Sequence, residues 1–117
     1  MNRPQVSTAL PKRRYQLGPF SAVVLGDVES PDPTTYHYIL ALVNEGEQEP
    51  VLYVTCESLP EPAEDGQGTI ARVIAEEGEK ALGPNDAWRD LDAFADDAIA
   101  MVQKVMRLTD EIPARLS

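Results

Sequence analysis

A chain of 117 residues with 43% apolar side chains, 26% charged ones and a single cysteine has the composition of one globular domain, without an internal disulfide. No apolar run approaches the roughly 20 residues that span a bilayer, and no apolar stretch of about 7–15 residues follows Met1-Asn2-Arg3-Pro4 as a secretion leader requires. Residues 1–14 hold Arg3, Lys12, Arg13 and Arg14 and no acid, so the remaining chain carries six bases against twenty acids, a net of −14 that repels phosphates.

These features argue against nucleic-acid and membrane partners. With Cys56 as the lone thiol they lead to the expectation of a cytoplasmic protein. The acidity itself suits a solvated surface, or a surface that meets a basic partner.

In chain order, residues 1–14 contain Pro4 and Pro11 among small and basic residues without periodicity, and are expected to form a flexible basic arm preceding one α+β domain over 15–117. Phe20 to Val28 is rich in β-branched residues and ends at Pro31 and Pro33, which cannot continue a ladder. Thr34 to Val43 resumes strand composition, Asn44-Glu45-Gly46-Glu47 supplies turn chemistry, and Val51 to Cys56 reads as the next strand. A hairpin register with Val43 opposite Val51 also sets Leu42 by Leu52, Leu40 by Val54 and Tyr38 by Cys56 on an apolar face. Ile39 by Thr55, Ala41 by Tyr53 and His37 by Glu57 then share the other face.

The stretch from Leu59 to Gly68 is a loop by its prolines, glycines and acids. Residues 69–82 admit two readings. Glu76, Glu77 and Lys80 favour helix, whereas Ala75-Glu76-Glu77-Gly78-Glu79 repeats the turn chemistry of residues 43–47 and favours a fourth strand over Ile70–Ala75, which is the reading preferred. From Asn85 to Leu108 the apolar residues, including Leu91, Ala95, Ala98, Val102 and Val105, fall on one half of a helical cylinder. Asp86, Asp90 and Asp92 near its start and Lys104 and Arg107 near its end complement the helix dipole, and Pro113 bars continuation. The expected architecture is therefore an antiparallel meander of three or four strands with one long C-terminal amphipathic helix packed on one face. The alternative is three strands followed by two helices.

Little in the chain announces chemistry. His37 and Cys56 fall on opposite faces in this register, too far apart for a nucleophile and its base, and Cys56 reads as a small core hydrophobe. Asp92, Asp96 and Asp97 form a solvated helix face, with no calcium-loop spacing, and no zinc ligand set or phosphate-binding glycine loop is present. No metal, cofactor or catalytic residue is assigned, and the chain leans away from being an enzyme. Strand Tyr36–Val43 is apolar on both sides, while one helix covers one side only. The sequence thus predicts a small acidic binding or regulatory protein acting through a protein–protein surface made by Ile39, Ala41, Val43, Val51 and Tyr53, with His37 and Glu57 at its rim. Its simplest form is a face-to-face homodimer centred on Tyr53 and Ile39. The alternative is a small-ligand site or enzyme around Tyr36, His37, Tyr38 and Glu57.

Overall fold

The computed structural model describes residues 1–117. Six strands follow one another as an antiparallel meander: β1 (Thr8–Leu17), β2 (Phe20–Glu29), β3 (Tyr36–Asn44), β4 (Leu52–Ser58), β5 (Thr69–Ala75) and β6 (Gly78–Leu82). A two-residue strand, β7 (Ala114–Arg115), completes a seven-stranded sheet in the order β6-β5-β4-β3-β2-β1-β7. Helix α1 (Leu91–Val105) lies on one face, here called inner. No helix is long and apolar enough to cross a membrane.

The inner face follows from strand alternation. Ala22 and Val24, Leu40 and Leu42, Leu52, Val54 and Cys56, and Ala71 and Val73 all project to one side, where Phe94, Ala95, Ala98, Ile99 and Val102 of α1 meet them. Ala95 and Ala98 let the helix approach closely, and Phe94 stacks on Tyr38 with ring centroids 5.6 Å apart. The register expected for β3 and β4 holds at Tyr38↔Cys56, Ile39↔Thr55, Leu40↔Val54, Ala41↔Tyr53 and Leu42↔Leu52. The strand reading of residues 70–75 holds as well. Ala75 and Gly78 pair across the tight turn of Glu76 and Glu77, closing the β5–β6 hairpin.

The sheet is longer than the expected three or four strands. Residues 8–14, expected in a free arm, belong to β1, which pairs with β2 through two register shifts on either side of Pro11. Bulges accommodate that proline and erase the alternation by which a strand is normally read. Strand β6 is short, exposed and charged, as edge strands commonly are.

The helix is also shorter than its apolar arc. Asp86–Arg89 forms a 3-10 turn capped by Asn85, whose Oδ1 accepts from Ala87 N at 3.0 Å. Asp90 is extended and caps α1 itself, its Oδ2 accepting from Ala93 N at 3.0 Å. This break drops Trp88 into the core, where its Nε1 donates to Asp97 at 2.8 Å and its carbonyl accepts from the Cys56 thiol at 3.3 Å. Gly83, at φ +109°, leaves room for that ring, because a Cβ there would lie 2.9 Å from it. At the far end Arg107 turns to φ +58° and stops the helix, leaving Val105, expected in the core, 48% exposed.

Candidate ligand-binding cleft on the outer face

Outside the helix-covered face, the sheet brings together polar residues from three strands. Thr55 lies opposite Arg72 and Glu57 opposite Ile70, so Glu57 and Arg72 are diagonal neighbours on the outer face. The Arg72 Nε donates to Glu57 Oε2 at 3.0 Å, and Thr55 Oγ1 donates to the same oxygen. Glu57 is only 6% exposed and Thr55 is fully buried. No buried side-chain nitrogen or oxygen lacks a partner, yet both bonds to Glu57 end on Oε2. Its Oε1 carries no hydrogen bond within the chain.

Glu57 and Arg72 adjoin an open cleft of about 580 Å³. Glu57, Arg72 and Ile74 line its floor, Asp32, Thr34 and Tyr36 line one side, and Glu79 of β6 lines the other. Residues Met1 to Gln5 cross over it as a strap. Asn2 Nδ2 donates to Glu79 at 3.0 Å, Arg3 donates to Pro50 O at 3.0 Å and Tyr53 Oη at 3.2 Å, and Gln5 N donates to Asp32 at 3.4 Å. The Arg3 guanidinium also lies over the Tyr53 ring, 5.9 Å from its centroid.

A β-bulge determines which tyrosine enters the cleft. The pairing skips from Tyr36↔Glu57 to Tyr38↔Cys56, so His37 is the extra residue and its neighbours face opposite sides. Tyr36 joins Glu57 outside, donating to Asp32 at 3.2 Å, and burial with the nearby Asp32 charge pushes its phenol up to about 12. It is a neutral hydroxyl at physiological pH. Tyr38 instead packs inward and donates to Arg89 O at 3.2 Å.

The residues expected to form a partner surface are thereby divided. Ile39 is 1% exposed within the monomer and cannot be a central contact, Val51 packs against the inner core, and Ala41, Val43 and Tyr53 are half-buried on the outer face. His37 does not sit opposite Glu57. Its Nε2 lies 2.8 Å from Ser58 Oγ, and burial lowers its pKa, aided by the charge of Arg89. The four residues of the alternative site are likewise separated, with Tyr36 and Glu57 in the cleft and His37 and Tyr38 outside its lining. No three or more His, Cys, Asp or Glu side chains gather as a metal-binding group.

No family model matches the chain, and neither the curated proteins nor the solved structures yield a match. The cleft must be read from its own residues. Sequence reasoning missed Arg72, Thr55, Asp32 and Glu79. The available signal was a lone arginine within the apolar run Thr69–Ala75, diagonal to Glu57 once the β4–β5 register is drawn.

Cys56 behaves as the core hydrophobe its sequence context suggests. It is buried, and burial pushes its thiol up to about 12, so almost none is thiolate at neutral pH. Iodoacetamide should leave it unmodified in the native protein and alkylate it after denaturation, as read by intact mass. Rapid native labelling would show that the core opens locally.

A second space, of about 570 Å³, lies between the C-terminal half of α1 and the β5–β6 hairpin. Val73, Leu82, Met101 and Val105 make it largely apolar.

Proposed function

We propose that the protein is a binding protein for a small polar ligand, held in the cleft between the outer sheet face and the N-terminal strap. The supporting observation is the buried Thr55–Glu57–Arg72 network. Close-packed apolar residues are commonly as stable as or more stable than a buried charge, so a Glu57 carboxylate kept buried against a half-buried Arg72 beside an open cleft is best explained by recognition. The cleft offers a carboxylate oxygen, a guanidinium edge and a neutral phenol within a space sized for a small molecule. The strap is held over it mainly by polar contacts, while Met1 and Val6 remain exposed, an arrangement suited to opening and closing.

Screening a fragment library against the ¹⁵N-labelled full chain tests this reading. Polar fragments should shift the amides of Tyr36, Glu57 and Arg72 in a saturable manner, and Arg72→Met should remove the response. Fragments that shift only the groove beside Met101 and Val105 would overturn it.

A second reading retains the protein–protein surface. Val23, Ala41, Val43 and Tyr53 form a half-buried apolar strip beside the strap, and a second copy is its simplest cover. Under this reading the wild type sediments as a dimer and Val43→Lys as a folded monomer. A monomeric wild type at high concentration excludes the homodimer.

A further inference from the structure

We infer that the outer sheet face is a docking groove for an extended, arginine-bearing peptide of another protein, and that residues 1–6 fill it as a built-in competitor. The inference concerns the strap's own seat and goes beyond the small-ligand reading of the cleft.

The direction of the contacts is the first argument. All four hydrogen bonds between strap and body run from strap donors to body acceptors: Asn2 to Glu79, Arg3 to Pro50 O and Tyr53 Oη, and Gln5 N to Asp32. Arg3 is the anchor, since its guanidinium also lies over the Tyr53 ring and 3.5 Å from Glu49. The acceptors come from the β2–β3 loop, the β3–β4 loop, β4 and β6, so the seat runs across the sheet and suits an extended chain.

Charge is the second argument. Met1, with its α-ammonium, and Arg3 line the cleft and also a neighbouring space of about 580 Å³ beside Val51 and Met106. Without the strap, the cleft keeps Asp32, Glu57 and Glu79 against Arg72 alone. The neighbouring space keeps Glu47, Glu49, Glu76 and Glu77 and no base. The strap is thus the positive charge that balances this face, and a segment that replaces it must bring its own.

The strap is also displaceable. Residues 1–6 make no backbone–backbone hydrogen bond, and none of them is buried. Surface side-chain contacts hold such a segment weakly, and its advantage over a free peptide is mainly the effective concentration that the tether confers. Removing the anchor therefore opens the groove to a segment of the same chemistry in trans.

The experiment titrates ¹⁵N-labelled full-length Arg3→Ala protein with a peptide of residues 1–6, amidated at its C-terminus. Residues 1–6 of this variant should become mobile by heteronuclear relaxation, and the peptide should shift the amides of Asp32, Tyr53 and Glu79 saturably. Wild-type protein should bind the peptide at least tenfold more weakly, and an Arg3→Glu peptide should leave the amides in place. Tyr53→Leu, added to the Arg3→Ala protein, should weaken binding severalfold.

A strap that stays ordered in Arg3→Ala, an opened protein that ignores the peptide, or equal binding by the wild type would each overturn the inference. Equal shifts with the Arg3→Glu peptide, or in Tyr53→Leu, would overturn it too. A wild type that self-associates, and ceases to in Arg3→Ala, would replace the separate peptide by a second copy's strap and overturn the assignment. A groove that takes the peptide while no fragment shifts Glu57 or Arg72 would end the small-ligand reading and support this one.

Discussion

Val102→Asp should abolish the cooperative native state. Val102 is fully buried on α1 among side chains of the inner sheet face, with no cation in the cluster to receive a carboxylate. Stranding a charge there costs several kcal/mol after relaxation, in addition to the lost packing, against a total stability of roughly 5–15 kcal/mol. Val105→Asp provides the control. Three residues further along the same helix it is 48% exposed, and its charge reaches water, so the expected loss is within about 1 kcal/mol. Circular dichroism melts of the two variants decide the matter. A cooperative transition in Val102→Asp near that of the wild type would mean that α1 does not pack as described.

That pair of residues also shows where periodicity ceases to inform. The apolar arc of residues 85–108 correctly identifies the face that α1 buries, yet it treats the segment as one continuous helix. Asp90 breaks it because its carboxylate caps the Ala93 amide and its own backbone is extended, a local competition that an average over one face cannot register. The strands follow the same logic. β3 and β4 were legible together with most of their register, because inward apolar residues at Leu40, Leu42, Leu52 and Val54 tolerate no one-residue slip. β1 was not legible, since Pro11 and its flanking bulges disrupt alternation in a segment whose basic run resembles a solvated arm.

The cleft lay beyond the sequence for a related reason. Glu57 was recognised as a polar residue on the outer face, but the bulge at His37 replaces its expected neighbour with Tyr36. A bulge adds one residue without a distinctive composition, and it reverses the side on which every earlier side chain of that strand falls. The cover of the outer face was likewise underestimated. Counting the apolar residues of the arm neglects polar tethers such as Arg3 to Tyr53 and Asn2 to Glu79, by which the strap reaches across the sheet.

Removing Arg72 and Glu57 one at a time, and then all three members of the Thr55–Glu57–Arg72 network together, should separate stability from binding. Arg72→Met leaves the Glu57 carboxylate 6% exposed with Thr55 as its remaining donor, and the expected loss is about 3 kcal/mol. Glu57→Met leaves a guanidinium that is 32% exposed and already near Glu79, so it can turn to water, and the expected loss of about 2 kcal/mol comes mainly from the buried Thr55 hydroxyl left without its acceptor. Both variants break the Arg72–Glu57 bond, and the difference between them follows from what is stranded, a buried carboxylate in one and a buried hydroxyl in the other. Either single variant also leaves Thr55 or Glu57 short of a hydrogen-bond partner. Thr55→Val/Glu57→Met/Arg72→Met removes every member at once and fills the space with apolar groups, so its stability should return to within about 1 kcal/mol of the wild type or exceed it. The same triple variant should fail to bind the polar fragments taken up by the cleft, because the Glu57 carboxylate and the Arg72 guanidinium are gone. Chemical denaturation of the four proteins measures the first quantity, and titration measures the second. A triple variant less stable than Arg72→Met would make the network a structural necessity of the sheet and would remove the reason for assigning it to a ligand. A triple variant that is stable and does not bind would leave recognition as the explanation for a carboxylate kept buried on the face of a sheet.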